Sequence, residues 1–170
     1  MGKIAWGITG AGHMLRESAD VIGRAGEADV FVSPAGIEVV SIYKVPLPSK
    51  PLSDRSASTV AVKGFFTGKY DLLVISPATS NSVAKFVCGI SDSLITNLFA
   101  QAGKARVPIV VFPTDLEEVV ESTGATKPVK VFPRPVDLEN TARLKSFPGV
   151  TVVENIAELE GAIKRARGLT

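Results

Sequence analysis

The chain has 170 residues, 45% hydrophobic and 21% charged, with a formal net charge of +2. That suits one globular domain with room for a core, and it gives no electrostatic basis for binding nucleic acid or an anionic membrane. The single cysteine, Cys88, excludes a disulfide framework, a zinc site or a cysteine-ligated iron–sulfur cluster within one chain. In its apolar run it is expected to be a buried thiol.

Lys3 to Thr9 reads as a buried strand that opens at once onto Gly10-Ala11-Gly12. Leu15, Ala19 and Ile22 then share one helical face, ending at Gly23 or Gly26. Because the chain starts on a strand pattern, no signal peptide is expected. Asp29 to Val32 is a second strand, stopped by Ser33-Pro34, and Ala35 to Tyr43 continues as a helix. Lys44 to Ser58, with Pro46, Pro48 and Pro51, breaks the pattern. A loop of this length is usually functional, and it could cover a bound ligand. Thr59 to Phe66 reads as helical.

Asp71 to Ser76 is the next buried strand. A polar turn and a long helical region to about Ala105 follow. Val107 to Phe112 is a strand, Asp115 to Ser122 an acidic helix, Val129 to Phe132 a short strand and Asp137 to Ser146 a helix. Val150 to Val153 is the last strand and Ile156 to Arg167 the last helix. There Lys164-Arg165-Ala166-Arg167 complements a helix C-terminus. No apolar run reaches the roughly 18 residues that span a bilayer. No membrane association, a cytoplasmic location and no metal are expected.

Strands alternating with helices imply a single α/β domain, residues 1–170. It is doubly wound and Rossmann-like, a three-layer sandwich on a mainly parallel sheet of about six strands. In such sheets ligands bind beyond the carboxyl ends of the strands, where strand order switches. Small polar residues gather at four such ends: Thr9 to Gly12, Ser33 to Gly36, Ser76 to Ser82, and Phe112 to Asp115. Thr79, Ser80, Asn81 and Ser82 crowd one helix start, where unpaired N–H groups attract anions. One such residue would suffice as a cap.

Gly10-Ala11-Gly12 begins like a dinucleotide fingerprint. Leu15 stands at the third glycine position, however, and Ser33 stands where an acid would hold a ribose. No Gly-x-x-x-x-Gly-Lys-Ser/Thr sequence is present for a triphosphate. A monophosphate carrying a large flat ring fits better. Lys85 is the nearest cation, free either to help or to be solvated. His13, the only histidine, follows the glycine turn. It could approach a ligand or be an exposed first-turn side chain. Trp6 reads as core. Val83, Phe86, Val87, Ile90 and Leu94 form one apolar stripe, and Ala84, Cys88, Ile95, Phe99 and Ala102 a second. Two apolar faces need two covers, so a homo-oligomer is expected.

Four segments carry a resemblance: Ile8-Thr-Gly-Ala-Gly12, Val32-Ser-Pro-Ala35, Pro77-Ala-Thr-Ser-Asn-Ser-Val-Ala-Lys85 and Gly89-Ile-Ser-Asp92. They resemble the superfamily of homo-oligomeric flavin-containing cysteine decarboxylases. Ala5 to Gly12, Gly68-Lys-Tyr-Asp71 and Arg134 to Asn140 are closer to its redox branch, the archaeoflavoproteins and dihydromethanopterin reductase flavin subunits. The resemblance implies FMN held at subunit interfaces of a trimer-based assembly. It places the phosphate at Gly10, Ala11, Gly12 and Ser33, with Ser82 adding donors. Ala78, Thr79, Ser80 and Asn81 would line the ring side, and Thr114 and Asp115 would approach from the next strand.

Two departures argue against decarboxylation. Ser58 to Lys69 holds no histidine, and Pro113-Thr114-Asp115-Leu116 replaces the Pro-x-Met-Asn segment. The expected activity is reduction of a pterin-like substrate, dihydromethanopterin, by FMN charged from an external donor (reduced flavin, nicotinamide or ferredoxin). His13 and Asp115 are the candidate acids. The alternatives are an electron-transfer flavoprotein that accepts electrons from ferredoxin, a phosphopantothenoylcysteine-decarboxylase-like enzyme, or a flavin prenyltransferase.

Overall fold

The computed structural model describes residues 1–53 and 62–169. Its strands are β1 Lys3–Ile8, β2 Ala28–Val32, β3 Tyr70–Ala78, β4 Ile109–Pro113, β5 Val120–Ser122, β6 Val129–Val131 and β7 Val150–Val152. Its helices are α1 Leu15–Arg24, α2 Pro34–Ile42, α3 Ser80–Cys88, α4 Leu94–Lys104, α5 Pro135–Leu144 and α6 Ile156–Ala166. Residues 62–66 are also helical. The start of the Thr59 to Phe66 helix lies outside the described residues.

Five strands form one sheet in the order β2-β1-β3-β4-β7, with every ladder parallel. The order reverses between β1 and β3, so the crevice expected of a doubly wound sheet opens above that pair. Strands buried on both faces read as near-continuous apolar runs, and β1, β3 and β4 do so. Ile4, Trp6, Ile8, Val30, Val32, Leu72 and Val110 pack under α1 and α6. Ala5, Phe31, Leu73, Ile75 and Val111 pack under α3 and α4. Each large aliphatic or aromatic side chain buried this fully contributes about 1.5–3 kcal/mol. The two apolar layers therefore outweigh any single polar contact, and they fix where the strand ends stand.

Several expectations are corrected. Asp115 to Ser122 contains no helix. Val120–Ser122 pairs antiparallel with Val129–Val131 as a separate hairpin, so the sixth strand never joins the sheet. Val119, Val129 and Val131 are exposed. Their β-branched side chains favour extended backbone, and Gly124 turns the hairpin with φ 57°.

The long helix to Ala105 is in fact two helices. Gly89 ends α3 in a left-handed conformation at φ 72°, and Ser93 and Thr96 form a capping box that starts α4. The break lets the chain cover its own second apolar face. Phe86 stacks on Phe99 with ring centroids 4.2 Å apart, and Val83, Val87, Leu98 and Ala102 are buried. The argument that both faces need a second subunit therefore fails. Ile90 stays exposed, and so does Cys88, against expectation, because it sits at the outer end of α3.

The described part of the proline-rich loop runs along β2. The Leu52 N–H donates to Val30 O at 2.8 Å, and Leu52 O accepts from Val32 N at 2.9 Å. Residues 54–58 of that loop lie outside the described residues. Arg167 likewise turns inward, donating to Gly2 O at 2.8 Å. No helix among the described residues is long and apolar enough to cross a membrane.

Candidate functional site

The crevice is built first by a clasp between β1 and β3. Thr9, the residue after β1, is 2% exposed. Its hydroxyl donates to Pro77 O at 2.9 Å and accepts from the Thr79 N–H at 2.9 Å. One side chain thus ties the glycine turn to the start of α3. Below it, Trp6 Nε1 donates to Ser76 O at 2.9 Å, and the hydroxyls of Ser18 and Ser76 are 2.8 Å apart. Trp6 is core, as expected.

Gly10, Ala11 and Gly12 follow the clasp. Their backbone N–H groups have no protein acceptor among the described residues. Space is tight behind them. A Cβ on Gly10 would sit 2.8 Å from the Ala35 Cβ, and one on Gly12 would overlap the Tyr43 ring. At Gly36 a Cβ would meet Val32 Cγ1 at 2.8 Å and Ile8 O at 3.0 Å. The small residues let α2 approach the β1 end, so the glycine turn and the α2 N-terminus face one volume.

Ser33 caps α2, its Oγ accepting from the Gly36 N–H at 3.0 Å. The hydroxyl proton is left to donate outward. Thr79 caps α3 in the same way, accepting from the Ser82 N–H at 3.3 Å, and its hydroxyl lies 3.1 Å from the Ser82 Oγ. Two helix N-termini and one turn of unpaired N–H groups therefore converge. That arrangement suits a small dianion held by dipoles and hydrogen bonds. Beside Gly12 a cleft of about 600 Å³ opens between Arg16, Tyr43 and Lys44 on one side and Thr123 and Thr126 of the hairpin turn on the other.

Across the crevice, Thr114 donates twice to Ala78 O, from its N–H at 3.0 Å and its hydroxyl at 3.3 Å. The next residue, Asp115, is half-buried, and Ser80 Oγ donates to its Oδ2. Burial pushes the Asp115 carboxyl above its ordinary range and the nearby Asp137 charge pushes it further, while His13, Ser80 and Arg134 pull it back. Asp137 itself is held low, chiefly by the guanidinium of Arg134 at 2.7 Å. No cluster of metal-ligating side chains is present among the described residues.

The family model described as Flavoprotein matches residues 2–167. The chain belongs to the Flavoprotein family. Among its relatives in that family is an uncharacterized protein of Methanocaldococcus jannaschii. It is 36% identical, with 95% of this chain and 94% of that protein aligned. A dihydromethanopterin reductase (acceptor) of Methanosarcina mazei is 30% identical over 90% of this flavoprotein and 95% of its own length. The crystal structure of Burkholderia xenovorans DmrB in complex with FMN, described as a cubic protein cage for redox transfer, superposes with a TM-score of 0.87. That pair is 40% identical, covering 99% of this chain and 97% of that one.

The residues singled out from the sequence of this flavoprotein sit together at one end of the sheet: Gly10, Ala11, Gly12 and Ser33 on one side, Ala78 to Ser82, Thr114 and Asp115 on the other. Several are already engaged. The Ala78 carbonyl, the Thr79 hydroxyl and the Ser80 hydroxyl all have protein partners. Asn81 is exposed. Lys85 pairs with Asp92 at 2.7 Å, so the charge expected to help or be solvated is taken up on the surface. Thr9, read from the sequence only as part of a polar strand end, and Asp137, read as a cap at the start of its helix, carry further structural roles beside the site. The Arg134-Pro-Val-Asp137 spacing, a capping box, was the available signal for Asp137.

Proposed function

We propose that this chain is an FMN-dependent oxidoreductase that reduces dihydromethanopterin to tetrahydromethanopterin with electrons from a separate donor. The convergence of the Gly10 to Gly12 N–H groups with the capped N-termini of α2 and α3 carries the reading. Such a site fits the phosphate of FMN, held through N–H groups and hydroxyls. Gly10, Ala11, Gly12 and Ser33 would hold the phosphate, with Ser82 nearby. Ala78, Thr79, Ser80 and Asn81 would line the ring, with Thr114 and Asp115 opposite. When bound, FMN supplies the redox chemistry, passing a hydride equivalent to the acceptor.

The likeness to the Methanosarcina mazei reductase and to the FMN-bound Burkholderia structure supports the substrate class and the cofactor. The crevice is open on its outer side, where Pro34, Ala35 and Asn81 are exposed. A second copy of the chain would close it. The exposed Ile37, Ile42, Ile90, Phe132 and Val136 supply apolar surface for such contacts. A trimer-based homo-oligomer in the cytoplasm is part of this proposal.

The test is anaerobic. FMN-loaded protein is reduced and mixed with dihydromethanopterin, and flavin reoxidation is followed with product formation. Stoichiometric tetrahydromethanopterin supports the assignment. Bound FMN that exchanges electrons with ferredoxin but leaves the pterin unreduced makes the protein an electron carrier instead.

A further inference from the structure

The cluster around Asp115 contains two carboxyl groups in opposite environments. Asp137 is nearly buried, and both of its oxygens are engaged by Arg134. Oδ2 accepts from the backbone N–H at 2.9 Å and from Nε at 3.0 Å, while Oδ1 accepts from Nη2 at 2.7 Å. It is locked as an anion at the start of α5. Asp115 is held only by neutral groups of Ser80, whose hydroxyl donates to Oδ2 and whose backbone N–H also bears on the carboxylate. The backbone that carries it is fixed, because Thr114 is tied to Ala78 O on the neighbouring strand. A half-buried carboxyl gripped by neutral donors and faced by an anion holds a proton more readily than one clasped by a guanidinium.

Resting on the pterin-reductase reading above, we propose that Asp115 is the acid of the reaction. It holds a proton on its carboxyl and hands it to the nitrogen of the substrate C=N bond. The balance is simple. A C–H bond forms with the hydride equivalent from the reduced cofactor, and the C=N π bond breaks. The nitrogen takes the Asp115 proton as its N–H bond forms. The Asp115 carboxylate then regains a proton from water. The external donor restores the two electrons.

Every charged group that faces Asp115 has a defined direction. Asp137 at the start of α5 favours the protonated acid. His13 after the glycine turn, the Ser80 backbone N–H at the start of α3 and Arg134 favour the anion. Paired titratable groups whose surroundings drive them apart are the pattern of acid–base assignment. His13, by contrast, has no hydrogen-bond partner among the described residues.

The test combines three variants and two readouts. Reoxidation of reduced, FMN-loaded protein by dihydropterin is measured per flavin bound, across pH. In the wild type the rate should fall tenfold per pH unit above the point where Asp115 ionises. Asp115→Asn should be slower by about 100-fold or more and lose that limb. Ser80→Ala removes a donor to the anion, so the limb should move to higher pH. Asp137→Asn removes a like charge, so it should move to lower pH.

The second readout is the carboxyl 13C titration of aspartate-labelled, FMN-free protein. There Asp115 should ionise above the ordinary range and shift in the same two directions. It remains decisive if Asp115→Asn does not fold. An Asp115→Asn protein with wild-type rate and pH profile overturns the proposal, and so does an Asp115 titration that neither neighbouring variant moves. If wild-type protein fails to bind FMN or to reduce the pterin, the functional reading falls instead, and the 13C titration still decides whether the carboxyl is poised as an acid.

Discussion

Thr9→Val isolates the clasp at the switch in strand order. The substitution keeps the shape of a side chain that is 2% exposed and removes only its hydroxyl. The Pro77 carbonyl retains a backbone donor, the Thr9 N–H at 3.2 Å, so losing the side-chain bond to it costs about 1 kcal/mol or less. The Thr79 N–H retains none. An orphaned donor of that kind costs about 1–3 kcal/mol, toward the lower end here because Thr79 is only half-buried. We expect a loss of about 2 kcal/mol, which lowers Tm by about 4–8 °C in a domain of this size. Thr9→Ser keeps both hydrogen bonds and loses one methyl group, for about 1 kcal/mol. Urea unfolding gives the stabilities, and flavin fluorescence titration gives the FMN affinity of each variant. The clasp should matter to both, because it holds the glycine turn against the α3 N-terminus. If the valine protein is as stable as the serine protein and binds FMN as tightly, the hydroxyl does not organise the site.

Gly36→Ala drives a methyl group toward Ile8 O, Thr9 O and Val32 Cγ1. We expect about 1–3 kcal/mol of destabilisation, read from thermal unfolding, and an unchanged Tm would contradict the close approach of α2 to β1. Ser33→Ala removes a cap and an outward donor. It should weaken FMN binding about 10- to 100-fold in a fluorescence titration, the worth of one hydrogen bond to a charged group. Asp29 gives a pH test. Burial raises its carboxyl, but hydrogen bonds from Lys69 and Tyr70 and the charges of Lys69 and Lys3 outweigh that, so it titrates below 3.8. A lowered acid stabilises the fold fully above its ordinary value and loses that contribution as pH falls through its folded value. The stability gap between wild type and Asp29→Asn should therefore be constant above about pH 5 and close below pH 4. A gap that persists unchanged at pH 2 would show that Asp29 acts without its charge.

The sheet was legible because its strands are buried on both faces, so Lys3 to Thr9 and Asp71 to Ser76 read as strands without help from the fold. A polar helix start at Thr79 to Ser82 was legible too, but that Thr79 is its cap and Ser33 the cap of α2 is visible only in the fold. The hairpin was not. Residues 115–122 are acidic and were read as helical, and only the pairing of Val120–Ser122 with Val129–Val131 shows them otherwise. Pairing partners several residues apart leave no local period to read. The division of labour among hydroxyls was hidden for the same reason. Thr79, Ser80, Asn81 and Ser82 look equivalent in sequence, yet Asp115, 35 positions away, claims Ser80 alone. Cys88 sat in an apolar run whose phase changes at Gly89, so its exposure followed from the break between α3 and α4.

Leu52 gives the sheet a direction. By bonding alongside Val30 and Val32 it occupies the outer rim of β2 with a segment punctuated by Pro48 and Pro51, and proline offers no donor to a further neighbour. That flank cannot recruit another extended chain. The opposite rim, β7, is three residues long and follows directly on Phe147-Pro148-Gly149, so it too is a poor template. Both rims of the five-stranded sheet are thereby closed to an added strand, so its parallel ladder ends within the molecule.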